Sequence, residues 1–469
     1  MKKKHVHILA ICGYTTTGLA LMARNLGYKV TGSDEDAYPP NSDTLTKAGI
    51  NWINDHRSEN LVKWGIPDLV IQANQIRKGN PELLAARKMG LKITSDSEFF
   101  YELTKKRKRI VVCGSHGKTT TSALIAWILE KDGRRPGFRL GTVTKNFDCS
   151  VRLGKGREFV FEGDEYTTTD SDKRPKFFHF HPDIAVINNI EWDHPDVFKT
   201  PISYINIFKN YLVSKMTKEE IIVCNGEDGN VVNVVENAGC KVVTFGLKAG
   251  DFRADKIKFN KSGTFFDVIY KGKFLMSIFS ALPGFHNVRN SLSAMAACYN
   301  LKVSIPSMIE ALKSFKGTSR RFEVMGTAGG VTVIDDYAHH PTKARETIAA
   351  AKSTYPSSRV FAIYVPHTYS RTKALLLQYA KAFSQADFVI IPDIEPARER
   401  HLEALIHARD LVSKISGFQK NVYYIPGQKG IVDFVLKRSR PGDIVLCMSV
   451  RGFGDLADKL FEALKKHEK

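Results

Sequence analysis

Short apolar runs recur along the chain, each stopped by glycine, serine, asparagine or aspartate. HVHILAI at residues 5–11 predicts a buried strand, followed by Gly13 and Gly18 and a helical pattern over 19–26. A second strand at 29–31 ends at Gly32, Ser33 and Asp34, and DLVIQA at 68–73 predicts another. From residue 110 a new series begins: IVVC, a glycine-rich loop, then the helix SALIAWILE, with further strands at 158–162, 184–188, 221–224 and 241–245. A third series starts near Arg320, with strands at 331–335, 360–365, 387–391, 422–425 and 443–448 and helices between them. A last helix follows residues 452–454. Strands alternating with helices predict mostly parallel sheets covered on both faces.

The chain has 469 residues, and three series of this length predict three α/β domains, at 1–108, 109–318 and 319–469. With 43% hydrophobic and 25% charged residues, disorder and fibrous repeats are excluded. Seven cysteines, an odd number without a CxxC pair, argue against a disulfide framework or zinc site and for a reducing, cytoplasmic compartment. No apolar run reaches the length of a membrane span, so no membrane insertion is expected. The formal charge of +20 favours anionic ligands. The basic run KKRKR at 105–109 reads as a solvated linker rather than a nucleic-acid patch, because a strand follows at once.

GSHGKTTT at 114–121 lies between a strand and a helix. Gly114 and Gly117 let backbone N–H groups turn towards phosphates, Lys118 supplies a point charge, and Thr119 offers a hydroxyl to Mg²⁺. The spacing G-x-x-G-K-T is shorter than the usual phosphate loop. The strand at 158–162 delivers Glu162, Gly163, Asp164 and Glu165 at its C-terminal end, where parallel sheets bind ligands; the strand at 184–188 delivers Glu191, Asp193 and His194. Thr119 with Glu162 could hold one Mg²⁺, and His194 could help with a second.

GSHGKTTT, EGDEY, NNIEWDHPDVF, PGFHNVRNSLSA, SRRFE and DDYAHHPT occur in this order, and together they resemble the Mur ligases of peptidoglycan synthesis over essentially the whole chain. The resemblance implies a Rossmann-like UDP-binding domain, a central P-loop ATPase domain with a parallel sheet, and a C-terminal Rossmann-like α/β domain. It also implies an ATP-dependent ligase: ATP phosphorylates a carboxylate, and an amine attacks the acyl phosphate. Carried over motif by motif, the implied catalytic residues are Lys118, His194 and Arg321. ATP is held by Gly114, Gly117, Lys118, Thr119, Thr120, His286, Asn287, Asn290, Arg321 and Asp336, and Mg²⁺ by Thr119, Glu162 and His194. Gly13, Ser33, Asp34, His339, His340, His367 and Arg371 face the other substrates.

Several family members carry a modified lysine where this chain has Phe208, with Lys209 one residue late. Phenylalanine there resembles the branch acting on UDP-N-acetylmuramate itself. HILAICG, IRKGNPE and DKRPKF resemble members that attach the tripeptide L-alanyl-γ-D-glutamyl-meso-diaminopimelate in peptidoglycan recycling, as does RGFGDL. VPHTYSRTKA resembles members that attach L-alanine. The resemblance therefore implies UDP-N-acetylmuramate with the tripeptide as partner, or alternatively with L-alanine. It also implies no nucleic acid, and a monomer or weak homodimer. The first glycine-rich loop, ICGYTTTG, departs from the family: Ala10 stands where glycine is common, and the threonines of 15–17 could reach a diphosphate.

Overall fold

A computed structural model describes residues 3–467 except Asp36, Tyr38, Arg398, Arg451 and Gly452, so part of RGFGDL lies outside the described residues. The chain divides into two compact units: Met1–Glu191, Ile205–Phe252 and Ser291–Ala311 form the first, and Trp192–Tyr204, Arg253–Asn290 and Leu312–Lys469 the second.

The first unit opens with five parallel strands, β1 (His5–Leu9), β2 (Lys29–Ser33), β3 (Asn51–Ile53), β4 (Leu69–Gln72) and β5 (Ile93–Ser95), in the order β3-β2-β1-β4-β5. All of β1 is buried, as a central parallel strand with both faces covered must be. The first helix, Tyr14–Asn25, begins earlier than the apolar pattern predicts. The hydroxyls of Thr16 and Thr17 donate back to the carbonyls of Ala10 and Ile11, at 2.7 and 3.0 Å, carrying the chain directly from strand to helix. The helix Asp96–Thr104 starts in a reciprocal capping box between Ser95 and Glu98.

Residues 105–109 are not a free linker. Lys105 ends that helix, and Lys108 and Arg109 already belong to β6 (Lys108–Cys113). Arg107 donates to the carbonyls of Leu153 and Gly154, and the Arg109 N–H to Asp183. With β6 run β7 (Gly137–Arg139), β8 (Val151–Arg152), β9 (Glu158–Glu162), β10 (Ile184–Ile187), β11 (Ile221–Asn225) and β12 (Lys241–Gly246), in the order β12-β11-β10-β6-β9-β7-β8. Only β8 among these runs antiparallel to its neighbour.

β13 (Phe252–Asn260), β14 (Gly263–Tyr270) and β15 (Lys273–Ser280) follow, with β14 and β15 antiparallel and Phe265 opposite Phe279. The sequence pattern misses these strands, because lysines at 256, 258, 261, 271 and 273 break the apolar alternation. The remaining sheet is β16-β17-β21-β18-β19-β20, built from β16 (Glu323–Ala328), β17 (Val331–Asp336), β18 (Val360–Tyr364), β19 (Phe388–Ile391), β20 (Val422–Tyr424) and β21 (Ile444–Met448). Ile334, Ala362, Tyr364 and Leu446 enter one core, and Val333, Phe361, Ile363 and Val445 the other. Each large side chain buried there contributes roughly 1.5–3 kcal/mol. Both faces being covered, these strands read as continuous apolar runs, which is why the sequence locates them well.

Candidate active site

The phosphate loop leaves the C-terminal end of β6 and enters the helix Lys118–Lys131. Gly114 has φ +120°, and a Cβ there would lie 2.7 Å from the Asn189 carbonyl oxygen; Gly117, the N-cap, has φ +77°. Both positions therefore demand glycine. The segment after β10 braces the loop. The His116 N–H donates to Asn189 Oδ1 at 2.8 Å, Ser115 Oγ donates to the Glu191 carbonyl at 2.6 Å, and His116 Nε2 lies 2.8 Å from Glu191 Oε2.

Lys118 Nζ donates to the Gly114 carbonyl at 2.6 Å and to Glu165 Oε2 at 2.7 Å. Burial by itself would depress this ammonium, but Glu165, Asp164 and Glu162 outweigh it and hold it above the ordinary lysine value. The charge is thus fixed at the N-terminus of a helix, where an anion is favoured. Thr119 Oγ1 donates to Glu162 Oε1 at 2.9 Å, and the other Glu162 oxygen takes the Gly141 N–H at 2.7 Å. Hydroxyl and carboxylate oxygens so placed are the hard donors Mg²⁺ takes, with water and phosphate oxygens completing its shell.

Near β1 and β2 the predicted residues divide. Gly13 precedes the helix Tyr14–Asn25 as its N-cap. Asp34 accepts the Cys12 N–H at 2.8 Å, tying the two loops at the C-terminal edge of the sheet together. Ser33 is turned inward: it is fully buried, and its hydroxyl donates to Glu82 Oε2 at 2.8 Å. In the glycine-rich loop, the hydroxyls of Thr16 and Thr17 donate to the loop's own carbonyls, at Ala10 and Ile11. Ala10 has φ +59°, the left-handed backbone that explains why glycine suits this position.

Sequence reasoning missed what lies behind Ser33. The carboxylate of Glu82, fully buried, meets His7 Nε2 at 3.0 Å, His56 Nδ1 at 3.4 Å and Asn60 Nδ2 at 2.7 Å. Burial would raise Glu82, but the bonds from His56 and His7 reverse this and bring it down to about 2. Burial likewise opposes the charged form of His56, yet Glu82 raises it above the ordinary histidine value. The one sequence signal was a glutamate in the first turn of the helix Pro81–Lys88, beside Leu83, Leu84, Ala85 and Ala86.

The second unit gathers a separate group. Arg371 is buried and donates Nε to Asp193 Oδ1 at 2.8 Å. Its two terminal nitrogens lie 3.2 Å from His367 Nδ1 and His194 Nδ1. Burial would raise Asp193, but Arg371 above all, then the histidines 194, 340 and 339, hold it well below the carboxylate range. His194, predicted to serve a metal, thus gives Nδ1 to a guanidinium. His340 Nδ1 accepts the Thr342 N–H at 3.3 Å, capping the helix Pro341–Thr354.

Asp336 uses both carboxylate oxygens on backbone, taking the Phe322 and Ala338 N–H groups at 2.7 Å each. It joins SRRF to the DDYAHHPT loop. Arg321 lies over the Tyr337 ring at 4.7 Å, whereas Arg320 is tied to Asp335 and to the Ser449 and Val450 carbonyls. Asn287 and Asn290 fall inside the helix Phe285–Asn300, with Asn287 Nδ2 on the Pro283 carbonyl and Asn290 Nδ2 on Asn287 Oδ1. His286 Nδ1 is buried without a hydrogen-bond partner among the described residues. Phe208 is fully buried and stacks on Phe177 at 5.5 Å, so a core aromatic fills the position of the modified lysine.

A phosphate loop with a clamped lysine and a hydroxyl–carboxylate pair defines a nucleotide-dependent enzyme. Three family models match the chain: "Mur ligase family, catalytic domain" at residues 5–108, "Mur ligase middle domain" at 112–298, and "Mur ligase, glutamate ligase domain" at 320–451. A UDP-N-acetylmuramate–L-alanine ligase of Acetivibrio thermocellus is 36% identical over 97% of this chain and 94% of its own. Among solved structures, the UDP-N-acetylmuramate–alanine ligase MurC of Thermotoga maritima superposes with a TM-score of 0.78 at 23% identity, covering 98% of this chain and 99% of the other. A murein peptide ligase of Psychrobacter arcticus gives 0.73 at 29% identity over the same shares. The chain belongs to the Mur ligase family. It is an ATP-dependent, ADP-forming amide ligase with three α/β domains. No helix among the described residues is long and apolar enough to cross a membrane.

Proposed function

We propose that this enzyme joins the carboxylate of UDP-N-acetylmuramate to L-alanine. The supporting observation is the 36% identity, across nearly the whole chain, to a ligase of that name. The expectation of a tripeptide acceptor, drawn from the first two segments, thereby becomes the second reading. It keeps one support: identity to the murein peptide ligase structure is 29%, against 23% to the MurC structure.

In this reading Lys118 neutralises the β- and γ-phosphates of ATP, and Thr119 and Glu162 hold Mg²⁺. The bound ion supplies further charge neutralisation at the phosphates. His286, Asn287 and Asn290 form the adenine side, Arg321 meets the γ-phosphate, and Asp336 sets the loop beside the ribose. The γ-phosphoryl group passes to the muramyl carboxylate, making a poor acyl donor into a good one. The amine then adds to the carbonyl carbon, and phosphate departs. Arg371, held by Asp193 and flanked by His367, is suited to the carboxylate of the incoming amino acid, because a guanidinium binds carboxylates in two-point fashion.

Phosphate release from ATP and UDP-N-acetylmuramate, compared with L-alanine and with the tripeptide as acceptor, tests the reading. Turnover with L-alanine alone supports it. Turnover with the tripeptide alone transfers the enzyme to peptidoglycan recycling.

A further inference from the structure

Arg139 is the last residue of β7 and is only 4% exposed. A guanidinium stays charged inside a protein, so burying one demands an anion or hydrogen bonds in exchange for its water. Among the described residues Arg139 has no carboxylate partner, and its Nε is buried without a hydrogen bond. The cation faces two aromatic rings instead, Phe100 at 5.8 Å and Phe180 at 5.5 Å. Phe100 comes from the helix Asp96–Thr104 and Phe180 from the short 3-10 helix Lys176–Phe180. Phe161 of β9 stacks on Phe180 at 4.3 Å and stands edge-on to Phe100 at 6.3 Å. Cation–π attraction offsets part of the lost hydration but does not replace a counter-ion.

The guanidinium makes one side-chain hydrogen bond among the described residues. Nη1 donates to the Glu162 carbonyl at 2.9 Å. β7 and β9 run parallel, with Arg139 opposite Phe161, and β7 ends there. Beyond it the Leu140 N–H turns to the Ser150 carbonyl, and the Gly141 N–H turns to Glu162 Oε2 at 2.7 Å. Thr119 Oγ1 meets the other carboxylate oxygen at 2.9 Å. Glu162 is thus gripped at its main chain by Arg139 and at its side chain by Gly141 and Thr119. A Cβ on Gly141 would lie 2.9 Å from both carboxylate oxygens, so the fit there leaves no slack.

We propose that Arg139 is a positioning residue for the metal site. It fixes the end of β9, so that the Glu162 carboxylate stands beside Thr119 ready for Mg²⁺. The inference rests on the reading above that Thr119 and Glu162 hold the ion. Arg139 acts through Glu162 and not on the metal. Its positive charge repels a nearby cation, so the hydrogen bond, and not the charge, is what serves the site. The aromatic rings keep the guanidinium in place where a water-exposed arginine would be free to swing away.

The test is Mn²⁺ binding in the presence of ADP, followed by electron paramagnetic resonance on the whole chain. Wild type is compared with Arg139→Met, Arg139→Lys and Glu162→Gln, and calorimetry gives the ADP affinity without metal. Arg139→Met is expected to weaken Mn²⁺ binding about 10-fold, the usual effect of removing a group that orients a metal ligand, and to change metal-free ADP affinity by no more than about 2-fold. Arg139→Lys keeps a donor and should recover part of the loss. It also keeps the comparison available if the methionine variant folds poorly, which the melting temperature reports. A role confined to packing lowers the melting temperature and leaves Mn²⁺ affinity at the wild-type value. A role of charge alone makes Arg139→Met bind Mn²⁺ more tightly. Either result, with Glu162→Gln weakened, overturns the inference alone. Unchanged Mn²⁺ affinity in Glu162→Gln overturns the metal reading, and the inference with it.

Discussion

Lys118, half-buried, and Arg371, buried, are each held by a buried carboxylate, yet substitutions at the two pairs have different consequences. Glu165 shares Lys118 with a backbone carbonyl and neighbouring acids, so the ammonium stays satisfied, and its task is to meet phosphate. Lys118→Ala is expected to lower kcat on the order of 100-fold or more while the circular dichroism spectrum stays native. Asp193, by contrast, is itself buried and takes the Arg371 Nε–H at 2.8 Å. Asp193→Ala removes one buried partner of a buried ion pair, and a loss of about 3–5 kcal/mol is expected in denaturant titration.

Glu82 gives a pH signature. Its carboxyl lies near 2 in the folded chain against an ordinary 4.5, so its stabilisation is complete above 4.5 and is lost as pH falls from there towards 2. His56, raised from 6.5, adds stability that is full below 6.5 and fades as pH rises through its folded value. His5, lowered by burial, acts oppositely and costs stability as pH falls below 6.5. Glu82→Gln should therefore flatten the acid limb of melting temperature against pH below 4.5. An unchanged limb in the variant would show that Glu82 does not titrate as its surroundings dictate.

At the scale of elements, the strand–loop–helix around Lys118 is tightly constrained. Gly114→Ala places a Cβ 2.7 Å from a main-chain oxygen at φ +120°, and the neighbour cannot yield without moving the segment that carries Asn189. ATP binding measured by calorimetry should be lost in this variant. A Ser95→Ala change removes only a cap and should cost about 1 kcal/mol with ATP affinity intact. The elements legible in the sequence were those buried on both faces, such as β1, β6, β10, β18 and β21, where an apolar run leaves little choice. β13 to β15 were not legible, because one sheet face open to solvent admits lysines at will. The start of the first helix was also missed, because threonine hydroxyls bonded to backbone replace the apolar spacing that marks a helix.

At the scale of the molecule, two compact units each carry part of the chemistry inferred here: Lys118, Thr119 and Glu162 in the first, Arg321 and Arg371 in the second. Nucleotide bound to the native chain alone stabilises it by mass action. ATP with Mg²⁺ at 100-fold above Kd should add about 2.7 kcal/mol, read as a raised unfolding midpoint. Two cations of the basic run turn into the fold: Arg107 bonds the Leu153 and Gly154 carbonyls, and Arg109 pairs with Asp183.

The sequence alone determined the α/β class, the parallel strands, the phosphate loop and the order of motifs that mark the family. These depend on local spacing: glycine where φ must be positive, a lysine at the start of a helix, apolar runs where both faces are covered. Only the tertiary structure decided which partners the buried polar side chains find. Ser33 bonds the buried Glu82 carboxylate, and Asp336 takes the N–H groups of Phe322 and Ala338. A hydrogen bond joins residues far apart in the chain, and nothing in local spacing specifies which partner a buried polar group finds.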